Sequence, residues 1–129
     1  MSHFTTIKTK IKNKPQLVEA LELLQYNVIE DQELKVTGAH GIKHETVEAE
    51  VAITNDIGFR MDPRTGEYEL VADLETWKQP ISVDRFIDKV TQQYARMTIH
   101  NTVKEQGFEV EEEWEMDDNS IELTVTRWV

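Results

Sequence analysis

The chain of 129 residues is 39% hydrophobic and 30% charged, with a formal net charge of −11. These values are typical of one globular domain over residues 1–129 and exclude a disordered chain. Because the chain contains no cysteine, disulfides, thiolate nucleophiles and cysteine-ligated metal centres are excluded. No apolar run approaches the roughly 20 residues of a membrane span, and the first residues lack the pattern of a secretory signal. We therefore expect a cytoplasmic protein.

The first predicted element is a strand with one basic face. Ile7 and Ile11 alternate in residues 4–12 with three lysines: Lys8, Lys10 and Lys12. These lysines form the candidate charged face. Residues 1–18 carry a charge of +4, whereas the rest of the chain carries −15. A nucleic-acid partner is disfavoured, because such binding needs a positive surface that displaces counterions from phosphates.

A helix and several strands follow. Pro15 suits the first turn of a helix near residues 15–25, where its missing N–H costs nothing, and leucines at helical spacing form the apolar stripe. Residues 26–29 and 34–36 are predicted to be two short strands around an acidic turn. The segment 37–45 contains two glycines and two histidines and is predicted to be a loop.

The middle of the chain predicts an antiparallel meander of three strands. Apolar residues at every second position indicate a strand over 47–53. Strands over 57–61 and 67–72 flank a turn that contains proline and glycine, which predicts a hairpin. Pairing Met61 with Tyr68 places six apolar side chains on one face of the hairpin: Ile57, Phe59, Met61, Tyr68, Leu70 and Ala72. The turn and the hydrophobic pattern therefore support the same register.

The longest predicted helix runs over residues 83–106, with Ser82 as its N-cap and Gly107 as its stop. Six residues cluster on its core face at 100° per residue: Val83, Phe86, Ile87, Val90, Tyr94 and Met97. Ile99 and Val103 fall on the opposite side. Either the helix kinks near Thr98 to Asn101, or its last turns cover a second surface, within the chain or in a homodimer.

After the long helix, apolar residues recur at every second position. Apolar residues in 108–116 alternate with four glutamates: Glu109, Glu111, Glu113 and Glu115. This pattern predicts a strand with an acidic outer face, paired with a strand over 120–128 so that Met116 lies opposite Ile121. Because a ladder of like charges repels itself, we expect the lysine strand to lie in the same sheet, with the charged faces on the same side.

Together these elements predict an α+β fold in the order βαββ-βββ-αββ. A mainly antiparallel sheet with two helices packed on one face would bury the apolar sides of both kinds of element.

The residue types do not combine into a recognisable catalytic centre. His40 and His44 have the spacing of a helical metal site, but the glycines nearby place them on a loop, where that spacing has no such geometry. The sequence contains no glycine-rich phosphate loop, nucleophile elbow or calcium-loop pattern. We expect no cofactor and no tightly bound transition metal. Core packing is the expected role of the three tryptophans: Trp77, Trp114 and Trp128.

Several short segments carry a family resemblance: "MSHFTTIKTKIKN", "DIGF", "YELVAD", "QYA", "VKEQGF" and "TRW". On these the chain resembles the conserved hypothetical chloroplast reading frame thirty-five family, small proteins of cyanobacteria and algal plastids that form a domain of unknown function. The resemblance runs nearly end to end, and its N-terminal block is the most specific part. It implies a cyanobacterial cytoplasm or plastid stroma and a photosynthetic context. It implies no reaction, cofactor or catalytic residue.

Two classes of function remain open. The first is a non-enzymatic binding or assembly module that presents a sheet face or the surface around Ile99 and Val103 to a protein partner. The alternative is a small-ligand-binding or enzymatic domain with a pocket between the sheet and the long helix. The candidate interaction or pocket residues all lie on the long helix: Tyr94, Arg96, Ile99, His100, Asn101 and Val103.

Overall fold

The computed structural model describes residues 4–37, 44–115 and 120–127. Its elements in chain order are β1 (Phe4–Lys8), α1 (Lys14–Leu23), β2 (Ile29–Thr37), β3 (His44–Ala52), β4 (Ile57–Met61), β5 (Tyr68–Asp73), α2 (Val83–Glu105), β6 (Phe108–Glu115) and β7 (Ile121–Arg127). The α+β class, the antiparallel pairing and the two helices on one face of the sheet are confirmed. The predicted order contained one strand too many.

The extra strand arose because β2 is one strand rather than two short strands around an acidic turn. Its register with β3 is the same on both sides of Asp31, with Glu30 opposite Val51 and Gln32 opposite Ala49. Asp31 has a φ of 55°, a left-handed conformation that aspartate adopts more readily than most residues. Since β2 is an edge strand, its acidic side chains remain in water, and pairing with β3 overrides their low strand propensity.

The loop predicted over residues 37–45 is shorter at both ends. Thr37 and His44 are paired strand residues that close the β2–β3 ladder. Residues 38–43, which include His40, lie outside the described residues.

Five strands form one antiparallel sheet in the order β1-β5-β4-β3-β2. The predicted meander of β3, β4 and β5 is confirmed. So is the register of the β4–β5 hairpin, in which Met61 lies opposite Tyr68 and Phe59 opposite Leu70. The turn between these strands has Gly66 at a φ of +71°, a conformation that glycine adopts without steric cost.

The expectation that the lysine strand and the glutamate strand share a sheet is wrong. Among the described residues β6 pairs only with β7, in a separate two-stranded sheet, whereas β1 pairs with β5. β6 begins three residues after the last residue of α2, so it returns beside that helix. The lysines of β1 and the glutamates of β6 therefore have different neighbours. Lys8 lies opposite Glu69 of β5, and α2 supplies basic side chains to β6.

Both helices pack on one face of the five-stranded sheet. Leu17 of α1 and Phe86 and Val90 of α2 are buried in a core that they share with apolar residues of β3, β4 and β5. Phe86 is at the centre of an aromatic cluster, with ring centroids 5.4 Å from Tyr26 and 5.5 Å from Trp77. This cluster fixes the position of α2 over the sheet.

The opposite face of the sheet carries a second, smaller apolar cluster. Its buried members are Leu34, Ala49, Ala52 and Val71. Gly58 of β4 is required here, because a Cβ atom at this position would lie 3.1 Å from Leu34 Cδ1 and 2.8 Å from the carbonyl oxygen of Val51. The sheet is therefore packed on both faces.

The long helix has the limits that the sequence predicted. The Ser82 side chain accepts a hydrogen bond from the backbone N–H of Arg85, and Gly107 has a φ of +83° just beyond the C-terminal end. The predicted core face is confirmed, since Phe86, Val90 and Met97 are buried and the other three predicted members are partly buried against the same core. No helix among the described residues is long and apolar enough to cross a membrane.

Candidate functional site

The six candidate residues on α2 point in three directions. Tyr94 faces inward, and its hydroxyl oxygen accepts hydrogen bonds from the backbone N–H groups of Lys12 and Asn13 at 3.3 and 3.0 Å. Tyr94 therefore holds the connection between β1 and α1 against the long helix. Its hydroxyl has a structural role rather than a place in an open pocket.

Ile99 and Val103 are half-buried on the side of α2 that faces the β6–β7 hairpin. Residues three and four positions apart share one side of a helix, so these two continue a stripe that begins with Gln92 and Arg96. Gln92 and Arg96 line a cleft against the hairpin. Helical spacing therefore turns the predicted second surface of α2 towards the hairpin of the same chain.

The register of the β6–β7 hairpin differs from the prediction by one residue. Glu115 lies opposite Ile121, the position expected for Met116, which itself lies outside the described residues. Likewise Glu113 lies opposite Leu123. The predicted register is therefore wrong, although the pairing of these two strands is confirmed.

A β-bulge explains the different register. Val110 and Glu112 have partners on β7, whereas Glu111 between them is an extra residue. A bulge reverses the alternation of side chains beyond it. Glu109, before the bulge, is exposed as predicted, but Glu113 is turned towards α2 instead of the outer face.

Glu113 contacts two side chains of α2. Its Oε1 lies 2.6 Å from Nε of Arg96, and its Oε2 lies 3.2 Å from Nε2 of His100. The Glu113 side chain is only 19% exposed. Neutralising a partly buried carboxylate in this way stabilises the contact between the hairpin and the helix. Sequence reasoning missed Glu113, and the only available signal was the i, i+4 spacing of Arg96 and His100, which suits one shared acid.

A groove between α1 and α2 brings three of the candidates together. It has a volume of about 320 Å³ and is lined by Glu19, Leu23, Gln93, Arg96, Met97, His100 and Asn101. Leu23, the last residue of α1, is 57% exposed, whereas Met97 below it is almost buried. The groove thus has an apolar centre and a polar rim.

A cleft on the other side of Arg96 separates α2 from the hairpin. It has a volume of about 340 Å³ and is lined by Gln92, Gln93, Arg96, Glu113, Glu115 and Ile121. A smaller space of about 100 Å³ adjoins it and is lined by Arg85, Asp88, Lys89, Gln92 and Glu115. Gln93 and Arg96 belong to both the groove and the cleft.

The predicted lysine face is only partly a strand. Lys8 ends β1, whereas Lys10 and Lys12 belong to the connection to α1, and all three are exposed. Lys14, the next lysine, lies 3.2 Å from a carboxylate oxygen of Glu30. A side-chain hydrogen bond with Glu30 is the main reason that the pKa of Lys14 is raised.

The structure describes the backbone of only one of the two histidines that have the spacing of a metal site. His44 begins β3, and His40 lies outside the described residues. Within the ranges that the structure describes, no three histidine, aspartate or glutamate residues are arranged to hold a metal ion. Trp77 packs in the core, where its indole N–H donates to the carbonyl oxygen of Ile81 at 2.8 Å.

Comparisons with known proteins match this sequence over nearly its whole length. Residues 20–124 match the family model described as protein of unknown function, DUF1257, which defines the class of the protein. The chain is 37% identical to the uncharacterized protein ycf35 of Cyanophora paradoxa, and the alignment covers 99% of this chain and 98% of the relative. The ycf35 proteins of Guillardia theta and Pyropia yezoensis are each 36% identical with the same coverage. This chain therefore belongs to the ycf35 family, the family that its sequence resembles. No solved structure matches it.

Proposed function

We propose that this protein is a non-enzymatic binding module that docks a protein partner in the groove between α1 and α2. The observation that carries the proposal is the position of Leu23, which is 57% exposed. A single exposed leucine is ordinary on a protein surface. Leu23, however, lies in a concave groove beside Met97, an arrangement that accepts an inserted apolar side chain of a partner.

The composition of the groove matches the general anatomy of a recognition surface. Its centre is apolar, and its rim carries the amides of Gln93 and Asn101 and the charge of Glu19. Interfaces commonly combine a desolvated apolar centre with a polar rim that gives orientation. Arg96 and His100 also reach this rim, but both contact Glu113, so they add little positive charge for an acidic partner.

The charge of the whole chain favours a basic partner. With a net charge of −11, the protein attracts positively charged molecules over a distance and repels nucleic acids. Glu19 on the rim of the groove is exposed and offers a local partner for a basic side chain. We infer a partner segment that presents an apolar residue next to a lysine or arginine.

The groove is rigid enough to bind without a large loss of conformational entropy. Leu17 and Leu21 bury α1 in the main core, and Phe86 and Val90 do the same for α2. Since a preformed surface loses less conformational entropy on binding, these two anchored helices suit a docking role.

We propose that the protein has this role in the cytoplasm of a cyanobacterium or the stroma of a plastid, in a photosynthetic context, because the relatives come from algal plastids.

Affinity capture with matched variants tests the proposal. We expect a specific protein from a cyanobacterial lysate to be retained by the wild type and by Leu74→Glu, and to be lost with Leu23→Glu. Leu74 is the control because it is also an exposed leucine, at 43%, but lies outside the groove. Circular dichroism and thermal melting of each variant check that it is folded.

Two results decide the outcome of this capture. Retention of the same protein by Leu23→Glu contradicts docking in the groove. A change from dimer to monomer in Leu23→Glu, measured by light scattering, identifies the partner as a second copy of this chain.

A further inference from the structure

We propose that the cleft between α2 and the β6–β7 hairpin binds a small zwitterionic molecule of amino-acid size. The ammonium group of the ligand pairs with Glu115, and its carboxylate pairs with Arg85 and Lys89. This second site adjoins the docking groove, with which it shares Gln93 and Arg96, but it does not depend on the proposed protein partner.

The size of the cleft suits such a ligand. Its volume of about 340 Å³ adjoins a further 100 Å³ or so, and Gln92 and Glu115 line both spaces. Pockets for small molecules begin at roughly 300 Å³. A ligand that lies across Glu115 therefore reaches both ends of the cleft.

The two walls of the cleft carry opposite charges. The hairpin contributes the carboxylates of Glu113 and Glu115, and α2 contributes the cationic groups of Arg85, Lys89 and Arg96. One acid, Asp88, lies on the α2 side, which leaves the lining with three acidic and three basic side chains. A cleft with this distribution complements a molecule that carries one charge of each sign.

Not all of these charges are available to a ligand. Glu113 is already bound by Arg96 and His100 at 2.6 and 3.2 Å. Glu115 lies two residues further along the same face, and its exposed side chain forms no ion pair or hydrogen bond with any residue that the structure describes. The side chains of Arg85 and Lys89 are exposed and equally free within the described ranges. The charges open to a ligand are thus two acids, Glu115 and Asp88, and two bases, Arg85 and Lys89.

The bulge in β6 is the structural reason that Glu115 lines the cleft. If Glu111 were an ordinary paired residue instead of an extra one, the alternation of the strand would place Glu115 on the outer face with Glu109. Bulges are common next to binding sites, where they turn a side chain into the site. In this hairpin the bulge brings a free carboxylate opposite free cations.

Both charges of the ligand are required for selective binding. The net charge of −11 attracts any cation weakly and repels any simple anion. A cation alone would meet Arg85 and Lys89, and an anion alone would meet Glu115 and Asp88, because all four side chains line the same small space. A zwitterion whose two charges lie close together satisfies both signs, while the Gln93 amide and Ile121 line the adjoining larger space.

Isothermal titration calorimetry with individual free L-amino acids tests the proposal. For each amino acid that binds, the N-acetyl derivative removes the positive charge and the C-terminal amide removes the negative charge. We expect at least one free amino acid to bind and both of its derivatives to bind at least about tenfold more weakly. The variants Glu115→Gln and Lys89→Gln should each weaken binding by a similar factor.

Glu111→Gln is the matched control, because it removes the same charge from an exposed glutamate four residues away on the same strand. It should leave the affinity unchanged. The proposal is overturned if no free amino acid binds up to about 10 mM, or if an amide derivative binds as well as the parent amino acid. It is equally overturned if Glu111→Gln and Glu115→Gln weaken binding to the same extent, because the effect would then be that of net charge alone.

Discussion

Arg96 of α2 and Glu113 of β6 form an ion pair with 2.6 Å between Nε and Oε1. The pair joins the long helix to a hairpin that otherwise belongs to a separate sheet. It also divides the outward face of α2, since Arg96 lines both the docking groove and the cleft against the hairpin. The contact therefore determines which surfaces of the helix remain open to partners.

Removing this ion pair should loosen the hairpin without unfolding the protein. We expect a double-mutant cycle of Arg96→Gln and Glu113→Gln to give a coupling free energy of about 0.5–1 kcal/mol, because Arg96 is half exposed and water screens part of the attraction. The measurement is urea unfolding of the four proteins. Glu109→Gln, on the outer face, should show no coupling with Arg96→Gln, and a coupling as large as that of Glu113 would mean that the pair is not specific.

Phe86 should be among the most sensitive positions of the core. Its ring is fully buried between Tyr26, Phe59 and Trp77, so Phe86→Ala leaves a cavity that the sheet and helix cannot close. We expect a loss of about 3–5 kcal/mol in the free energy of unfolding, measured with urea. Leu74→Ala, on the surface, should change it by less than about 0.5 kcal/mol. Equal effects of the two substitutions would refute this packing.

Gly58 should not tolerate even one extra carbon atom. A Cβ atom there would lie 2.8 Å from the Val51 carbonyl oxygen and 3.0 Å from Ala49 Cβ. We expect Gly58→Ala to destabilise the protein by about 1–3 kcal/mol through overpacking. The comparison is Gly66→Asn, at a position with a φ of +71° and open space around it, where asparagine should cost less than about 1 kcal/mol. Thermal unfolding of both variants decides whether β2 and β3 pack this closely on β4.

The lysines near the N-terminus should not be coupled to the glutamates of β6. Since β1 and β6 belong to different sheets, reversing the charges of Lys10 and Lys12 to glutamate should change stability by less than about 1 kcal/mol. The change should be the same in the wild type and in a Glu109→Gln, Glu111→Gln background. A penalty that disappears in this background would mean that the two charged surfaces are neighbours.

Asp62 should contribute to the loss of stability in acid. The backbone N–H of Arg64 donates a hydrogen bond to the carboxylate of Asp62 and holds its pKa below the ordinary value. A carboxyl group with a lowered pKa in the folded state stabilises the protein above its unfolded pKa of about 3.9, and this contribution is lost as the pH falls through the folded value. Below about pH 4, the unfolding free energy of Asp62→Asn should decline less steeply than that of the wild type. Parallel pH profiles of the two proteins would contradict this role.

Sequence patterns correctly predicted the features that depend on residues close together in the sequence. The limits of α2 follow from Ser82 and Gly107, and the register of the β4–β5 hairpin follows from its turn and its apolar alternation. The prediction of two short strands in place of β2 was wrong, because an acidic segment has the composition of a turn. At the edge of the sheet, however, the acidic side chains of a strand can remain in water. Edge and centre are properties of the assembled sheet, and residue patterns do not encode them directly.

The sequence by itself determined the α+β class, both helices, the core face of α2 and the family. The partners of the charged residues were decided only by the tertiary structure. A bulge at Glu111 has no signature in an alternating pattern, yet it turns Glu113 and Glu115 from the outer face towards α2. The helix there offers Arg96 and His100 because the hairpin folds back beside it. The periodicity of a sequence indicates which residues share one side of a helix or strand. Which element packs against that side depends on the whole fold, because the two elements are distant in the sequence.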